Sequence, residues 1–546
     1  MQDIKNFLYN SFKNIFDELQ IDQQPELRIT NFEGFDMQLN NLLRIRDGNT
    51  KSKLLDEIKF IENHKWIEHL EVTNNGFINL KYSDMYVFEY IRMTSNTFKE
   101  IIKTENPKSF LLDYGGMNIG KAMHVGHIRS LNIGRGIKNL LLAAGHEVVS
   151  DIHLGDWGMP VAQILNYCYT NELDIKSISI QDLEEIYPKA SELSKEDQEF
   201  FESSQRINKK LNSKDSTVRD GWNHIYKIST DEIKKTLSRF GHNFDIFEGE
   251  SDANDYIDPL IKRLVTEKLI YEDDGAYITS FQEKNILITK SDGSYLYITT
   301  DLGTVVRREE NLNIDKYIYI VDQRQRQHFE DLFKCVKKFE LSDSEFLHIG
   351  YGTINNKDGR PFKTRDGGSY KLTDLYRDVE SRFKENTENK NDLRNLTNSV
   401  LTYSDLQTNK NTDYKFDLDK FTSTEGNTAV YLQYTYARSN KILEEYVVDT
   451  EEMTLPETHN EIDRLLMHEI IKLPEKFKLS EATLELNHLA DYAYELSKVF
   501  NKFYSNNKII NTDSELMTFR LQLTKQTNHT LKFVFKVLGI EAVEKL

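Results

Sequence analysis

Phe110-Leu111-Leu112-Asp113-Tyr114 is an apolar run short enough for a strand buried on both faces. Behind it Ile128, Leu131, Ile137, Leu140 and Leu141 recur at helical spacing, and Gly145 offers a stop. From about residue 108 to 168 the pattern runs strand, helix, strand, helix, which predicts a doubly wound parallel sheet. The segment from about 170 to 270 is charged and helical in pattern, an insertion into that rhythm. The rhythm resumes at Ile286-Leu287-Ile288-Thr289 and Tyr317-Ile318-Tyr319-Ile320-Val321, and Tyr297 to Asp301 reads as a further strand end. Arg377 to Arg394, rich in Glu, Lys, Asn and Asp, reads as a solvated helix or linker. From about residue 428 onward, long apolar periodicities with few Gly or Pro predict a helical bundle. Residues 1 to about 100 alternate short helical patterns with strand-like pieces such as Gly76 to Tyr82, a small α+β domain.

Length and composition narrow the class. A chain of 546 residues has room for roughly three to four domains. With 38% hydrophobic and 29% charged residues it is globular in composition and not disordered. The net charge of -18 argues against a broadly basic nucleic-acid coat but not against a local basic surface. Cys168 and Cys335 stand alone, which excludes a cysteine-rich zinc site and a disulfide scaffold. No stretch approaches 18 consecutive apolar residues, and Met1-Gln2-Asp3-Ile4-Lys5 does not lead into a signal-type core, so a cytoplasmic chain without membrane contact is expected. No internal repeat is visible.

His124-Val125-Gly126-His127 falls where the first strand hands over to the first helix of the sheet domain. The spacing puts both histidines on the opening turn, beside unpaired N–H groups and the positive end of the helix dipole, a natural place for phosphate. Gly126 lets a ligand approach without meeting a Cβ. The plain alternative is a pair of surface histidines.

The residues around this stretch resemble a known family. Asp113 to Arg129, containing Asn118, Lys121, His124 and His127, is similar to the ATP-binding HIGH region of arginyl-tRNA synthetases. His153-Leu154-Gly155-Asp156-Trp157-Gly158 is similar to the family's H-x-G-D-W-G, and Phe244-Asp245 with Gly249-Glu250-Ser251 to its F-D…G-E-S. Tyr297-Ile298-Thr299-Thr300-Asp301 resembles its Y-x-x-x-D and Gln325-Arg326-Gln327-His328-Phe329 its Q-x-x-H-F. Gly359 to Gly368 resembles its degenerate KMSKS loop, and Asn427 to Arg438 the start of its tRNA-binding helices. These segments run in order from Asp113 to Arg438, and that order carries the resemblance. Gly115-Gly116-Met117, Gly120 and Val430 depart from common family residues without removing a charged group.

The resemblance implies a Rossmann-type α/β catalytic domain at 101–425 with its helical insertion. It also implies an N-terminal add-on domain at 1–100 that meets the tRNA elbow, and an all-α anticodon-binding domain at 426–546. It implies ligation of L-arginine to tRNA(Arg) through an arginyl-adenylate made from ATP with Mg2+, with transfer to the 2′-OH of the terminal adenosine and tRNA needed for activation. No tightly bound metal or organic cofactor is expected, and a monomer is the simplest assembly. His124, Gly126 and His127 would contact ATP, with Lys363, Thr364 and Arg365 closing over the phosphates, Lys121 supplying further charge and His328 a further contact. Such chemistry needs positioned cations more than a covalent nucleophile. Asp113 and Asp301, read as lying at strand C-termini, would face the guanidinium with Tyr297 beside it, while Asn118 and Gln325 hold the α-amino end. Such a pocket should reject lysine, whose single charge leaves its acceptors poorly paired. Taken alone, Asp301 reads more readily as the N-cap of a helix at Leu302–Arg308. His153 and Trp157 read as structural.

Residues 501–546 carry more basic than acidic side chains, with Phe500, Phe503 and Tyr504 close by. Basic residues beside aromatics suit unstacked anticodon bases, yet Leu496, Phe500 and Tyr504 also fall at core spacing. The motifs fit three functions: arginine–tRNA ligation, a divergent paralogue serving inhibitor resistance or secondary metabolism, and a catalytically silent tRNA-binding homologue.

Overall fold

The computed structural model describes every residue except 1–3, 31–33, 74, 95–97, 214, 283, 292–294, 361, 363–369, 386, 447–453 and 546. The chain forms two compact units, one of Lys103–Gln433, Leu479–Ala490 and Val534–Leu546, the other of Met1–Ile102, Tyr434–Lys478 and Asp491–Phe533.

The larger unit is built on four parallel strands in the order Glu345–Tyr351, Lys316–Asp322, Ser109–Tyr114, Glu147–Asp151. Their apolar runs are buried on both faces because helices cover the sheet. Helix His127–Ala143 connects the two strands that carry Asp113 and Asp151. It stops at Gly145, whose φ of +91° is the left-handed conformation glycine adopts without strain. Register sets Asp113 between Tyr319 on one neighbouring strand and Asp151 on the other, and Asp113 and Asp151 both stand at the carboxyl ends of their strands. Ligands of open parallel sheets bind at that edge.

Two expected strands are something else. Asn285–Thr289 is not in the parallel sheet; it closes a separate antiparallel sheet with Tyr271–Asp273 and Ala276–Ser280. Asp274-Gly275, at φ +46° and +79°, turns Tyr271–Asp273 into Ala276–Ser280, and a second turn, where the Phe281 N–H donates to the Lys284 carbonyl at 2.9 Å, brings Asn285–Thr289 back beside that strand. Tyr297 to Asp301 is not a strand end either, because helix Tyr297–Asn311 runs through it. Ile298, Leu302 and Val305 fall on one helical face and are buried, which overrides the strand propensity of the Ile-Thr-Thr run. Asp301 therefore stands inside the helix, as neither strand end nor N-cap. The polar stretch after Arg377 is helical over Leu372–Ser381 and again over Lys390–Leu406, and Leu375, Tyr376 and Val379 bury one face of the first. Among the described residues, 377–394 are mostly exposed, in keeping with the solvated helix or linker expected there.

The helical insertion is present as Ile180–Glu196, Gln198–Asn212, Ser216–Arg239 and Asn254–Thr266. Leu183, Ile186, Ile207, Leu211, Val218 and Ile225 pack with Val161, Ile164 and Leu165 in one core. A buried arginine fastens the segment beyond the sheet. Arg129 Nε donates to Asp405 Oδ1 at 2.9 Å, and its Nη1 donates to the carbonyls of Gly352 and Thr412, each at 2.8 Å. These contacts fix the parallel pair Ile354–Asn356 and Tyr414–Phe416 against the histidine helix.

The smaller unit holds a four-stranded antiparallel sheet in the order Leu27–Ile29, Met37–Leu39, Ile78–Tyr82, Ile67–Val72. It also holds the helix Glu461–Ile470 and most of Asn487–Asn506 and Ser514–Leu538. Buried charge joins them: Arg464 Nε pairs with Asp84 at 2.7 Å, His468 bonds Asp36, and Arg520 takes both oxygens of Asp463 at 2.9 Å. Among the described residues no helix is long and apolar enough to cross a membrane.

Candidate active site

Only one histidine of the pair opens the helix. His127 is its first residue, whereas His124 lies ahead of it in an extended backbone bridge with Lys371. The Val125 N–H donates to the Tyr370 carbonyl at 3.1 Å and the Leu372 N–H to the Met123 carbonyl at 2.8 Å. A residue held in that ladder cannot also be helical. The first amides are not open to a ligand either, since the His127 and Ile128 N–H groups donate to the carbonyls of His124 and Val125 at 3.0 and 3.1 Å. The imidazoles, rather than the backbone, are what the site offers an anion.

Their geometry fixes which nitrogen points outward. The rings lie 3.9 Å apart between centroids. The Gly126 N–H donates to His124 Nδ1 and the His124 N–H to His127 Nδ1, both at 3.1 Å. His124 Nδ1 accepts, which leaves its proton on Nε2 as an outward N–H donor, whereas His127 Nδ1 also lies 3.2 Å from the His124 carbonyl oxygen. Burial lowers the pKa of His124, with Lys121 adding to it, and burial beside His124 pushes His127 down to about 3. A Cβ at Gly126 would stand 2.9 Å from the His124 ring, so the missing side chain makes room for that ring and not for a ligand.

Two lysines flank the histidines. Lys121 is exposed, with Nζ 4.2 Å above the Tyr187 ring of the insertion. Lys371 Nζ pairs with Glu184 Oε2 at 2.6 Å, a residue the sequence reading did not single out. Lys363, Thr364 and Arg365 lie outside the described residues. Beside them Phe362 packs on Tyr370 at 5.5 Å and on Phe416 at 6.5 Å between ring centroids.

The second group gathers on helix Tyr297–Asn311. Tyr297 is 67% exposed, and Asp301 Oδ2 is bonded to His328 Nε2 at 2.5 Å. Burial works to lower the His328 pKa, but the Asp301 bond overcomes it and the net shift is upward. His328 thus faces Asp301. Burial, then the charges of Asp301 and Asp156, push Glu250 up to about 8. Burial also raises Tyr297, followed by Glu250, Tyr187 and Asp301. Glu250, Asp301 and Tyr297 therefore share one partly desolvated space. Glu250 sits in the G-E-S motif but was given no role from sequence; its signal was a carboxylate among family-like residues.

Asp113 is held from below by Arg308 Nη2 at 2.6 Å and does not touch Asp301, although both acids act on the buried phenol of Tyr319. Asn118 is exposed and bridged to Gly155, where any Cβ would collide with its amide oxygen. Gln325 is exposed just before helix Arg326–Lys338. Trp157 is buried, with Nε1 donating to Asn212 at 2.8 Å. Asp113, Asp151 and His153 stand close enough to share a metal ion, but the guanidinium of Arg308 already bonds both carboxylates.

In the smaller unit, Phe500 and Phe503 are fully buried core residues. Tyr504 is 41% exposed, with the Arg438 guanidinium 4.9 Å above its ring and Arg438 Nη1 donating to Asn501 Oδ1 at 2.7 Å. Tyr434, 40% exposed, lies on the same helix as Arg438. The two readings of this aromatic cluster divide by residue: phenylalanines inside, tyrosines out.

Comparison with known proteins agrees along the whole chain. Residues 91–418 match the family model for the catalytic domain of class I (R) tRNA synthetases, and residues 432–546 match the DALR anticodon binding domain. The chain is 32% identical to an arginine–tRNA ligase of Alkaliphilus oremlandii over 529 residues, 90% of each protein. It is 33% identical to one of Francisella tularensis over 508 residues, 87% of each. Its fold superposes on the arginyl-tRNA synthetases of Plasmodium falciparum and Thermus thermophilus with TM-scores of 0.83 and 0.79, at 24% and 17% identity and over the full length of each. With a catalytic model spanning more than half its residues and relatives matched nearly end to end, the chain belongs to the class I arginyl-tRNA synthetase family.

Proposed function

We propose that this chain ligates L-arginine to tRNA(Arg) with Mg-ATP as co-substrate. The arginine carboxylate attacks the α-phosphorus and pyrophosphate leaves. The terminal 2′-OH of tRNA then attacks the acyl carbon of the adenylate and AMP leaves. With the proton on Nε2, the two imidazoles would donate to the phosphate oxygens, and Lys121 with Lys363, Thr364 and Arg365 would supply charge where it develops. Gly126 shapes the histidine pair, and Asn118 and Gln325 would hold the α-amino end. The amino-acid choice rests on two carboxyl groups placed together: burial, and after it the charge of Asp301, push Glu250 up to about 8. A guanidinium relieves that strain with paired donors, which a lysine ammonium does less well. We assign 1–100, 101–425 and 426–546 as elbow-contacting, catalytic and anticodon-binding segments of a cytoplasmic enzyme. Tyr434, Arg438 and Tyr504 are the side chains best suited to unstacked bases.

Arginine-dependent ATP–pyrophosphate exchange, measured with and without tRNA(Arg), tests the reading. Exchange should require tRNA and be followed by transfer. No exchange with cognate tRNA present would overturn it, and exchange without transfer would favour a specialised paralogue.

A second expectation concerns protons. With its pKa near 8, Glu250 is protonated at neutral pH in the empty site, and a bound guanidinium favours its ionised form. Arginine binding should therefore release a proton below that pH. Affinity should climb by about tenfold per pH unit up to roughly pH 8 and then level off. Calorimetry at pH 7 in two buffers of different ionisation enthalpy counts the proton, and Glu250→Gln should abolish its release. Unchanged release in that variant would remove Glu250 from the pocket.

A further inference from the structure

Arg308 lies two turns beyond Asp301 on helix Tyr297–Asn311 and is 2% exposed. Its Nη2 donates to Asp113 Oδ2 and to Asp151 Oδ2, each at 2.6 Å. Its Nη1 donates to the Tyr319 hydroxyl at 3.3 Å, and the guanidinium stands 5.7 Å from that ring's centre. A buried guanidinium is tolerated only when paired, and this one is paired with two acids at the ends of adjacent strands.

We propose that Arg308 is a positioning residue for arginine binding. It holds one oxygen of Asp113 inward, so that the other faces the substrate's cationic group, with Asp151 as its counter-anchor. The proposal rests on Asp113 belonging to the arginine site.

Three observations carry it. The Asp113 side chain keeps only 10% exposure, so it offers the site a single edge, and the clamp decides which oxygen occupies that edge. Two carboxylates and one guanidinium leave one net negative charge, the match for one positive group on a ligand. Without Arg308 the same space would hold two unpaired buried acids, which do not both stay ionised. Finally, Arg308 shares its helix face with Asp301, about 10 Å away along the axis. The clamp thereby ties the acid at the sheet end to the acid on the helix and fixes the distance between them.

Removing Arg308 alone strands two buried carboxylates, so the informative variant is Arg308→Met with Asp151→Leu, which replaces the pair by apolar groups. In full-length protein with tRNA present, the KM for arginine should rise about tenfold to a hundredfold, while the KM for ATP and the melting temperature stay close to the parent's. In an Asp113→Ala background the same pair should add less than about twofold, because its effect passes through Asp113. Equal losses for ATP and arginine, or full additivity with Asp113→Ala, would overturn the clamp. An unaltered arginine KM in Asp113→Ala alone would instead remove Asp113 from the site and the proposal with it. Should the double variant not fold, Arg308→Lys, which keeps the charge but loses the fork, carries the same comparison.

Discussion

Replacing Asp301 by asparagine should raise the KM for arginine about a hundredfold, some 2.7 kcal/mol, while the KM for ATP moves less than about twofold. The size follows from the setting. Asp301 is half-buried, accepts from His328 and acts on Glu250 through its charge, so a bound guanidinium loses a charged acceptor where water replaces it poorly. The split between substrates follows from position, since Asp301 lies on helix Tyr297–Asn311, while His124 precedes helix His127–Ala143 and His127 opens it. Steady-state exchange kinetics with each substrate varied in turn reads both constants. An arginine KM equal to the parent's would remove Asp301 from the pocket.

Replacing His127 by alanine should slow adenylate formation about 10²–10³-fold, the usual loss for one pre-aimed donor to developing charge. His124→Ala should behave alike. The double variant should lose less than the product of the two, because each ring is oriented within one unit: the His124 amide holds His127 Nδ1 and the rings stand 3.9 Å apart. Single-turnover adenylate formation with tRNA bound isolates the step. Two independent, multiplicative losses would show that the rings act separately.

The strand–helix–strand–helix segment from Ser109 to Thr170 and the helical insertion were legible because their apolar residues repeat at the period of the element they form. Asp301 was found by motif but misplaced as a strand end, since Ile298, Thr299 and Thr300 favour strands and only tertiary burial made them helical. His124 was placed in the helix because its true pairing partner, Lys371, lies far downstream. Ile286–Thr289 reads as a sheet strand by its apolar run, but it pairs with the neighbouring strand Ala276–Ser280, a choice its own pattern does not encode. Glu250 and Arg308 escaped notice for a different reason. A charged residue's function here comes from which charges the fold sets against it, and no local pattern encodes that.

The bond between Arg129 and Asp405 has a consequence in time. The two residues are 276 positions apart, and Arg129 follows the histidines directly on their helix. At synthesis rates of about 5–20 residues per second, the ribosome needs roughly 15–55 s to deliver the carboxylate after the guanidinium. Until then Arg129 can stay in water, and the buried contacts that hold Ile354–Asn356 and Tyr414–Phe416 against helix His127–Ala143 close only late in synthesis.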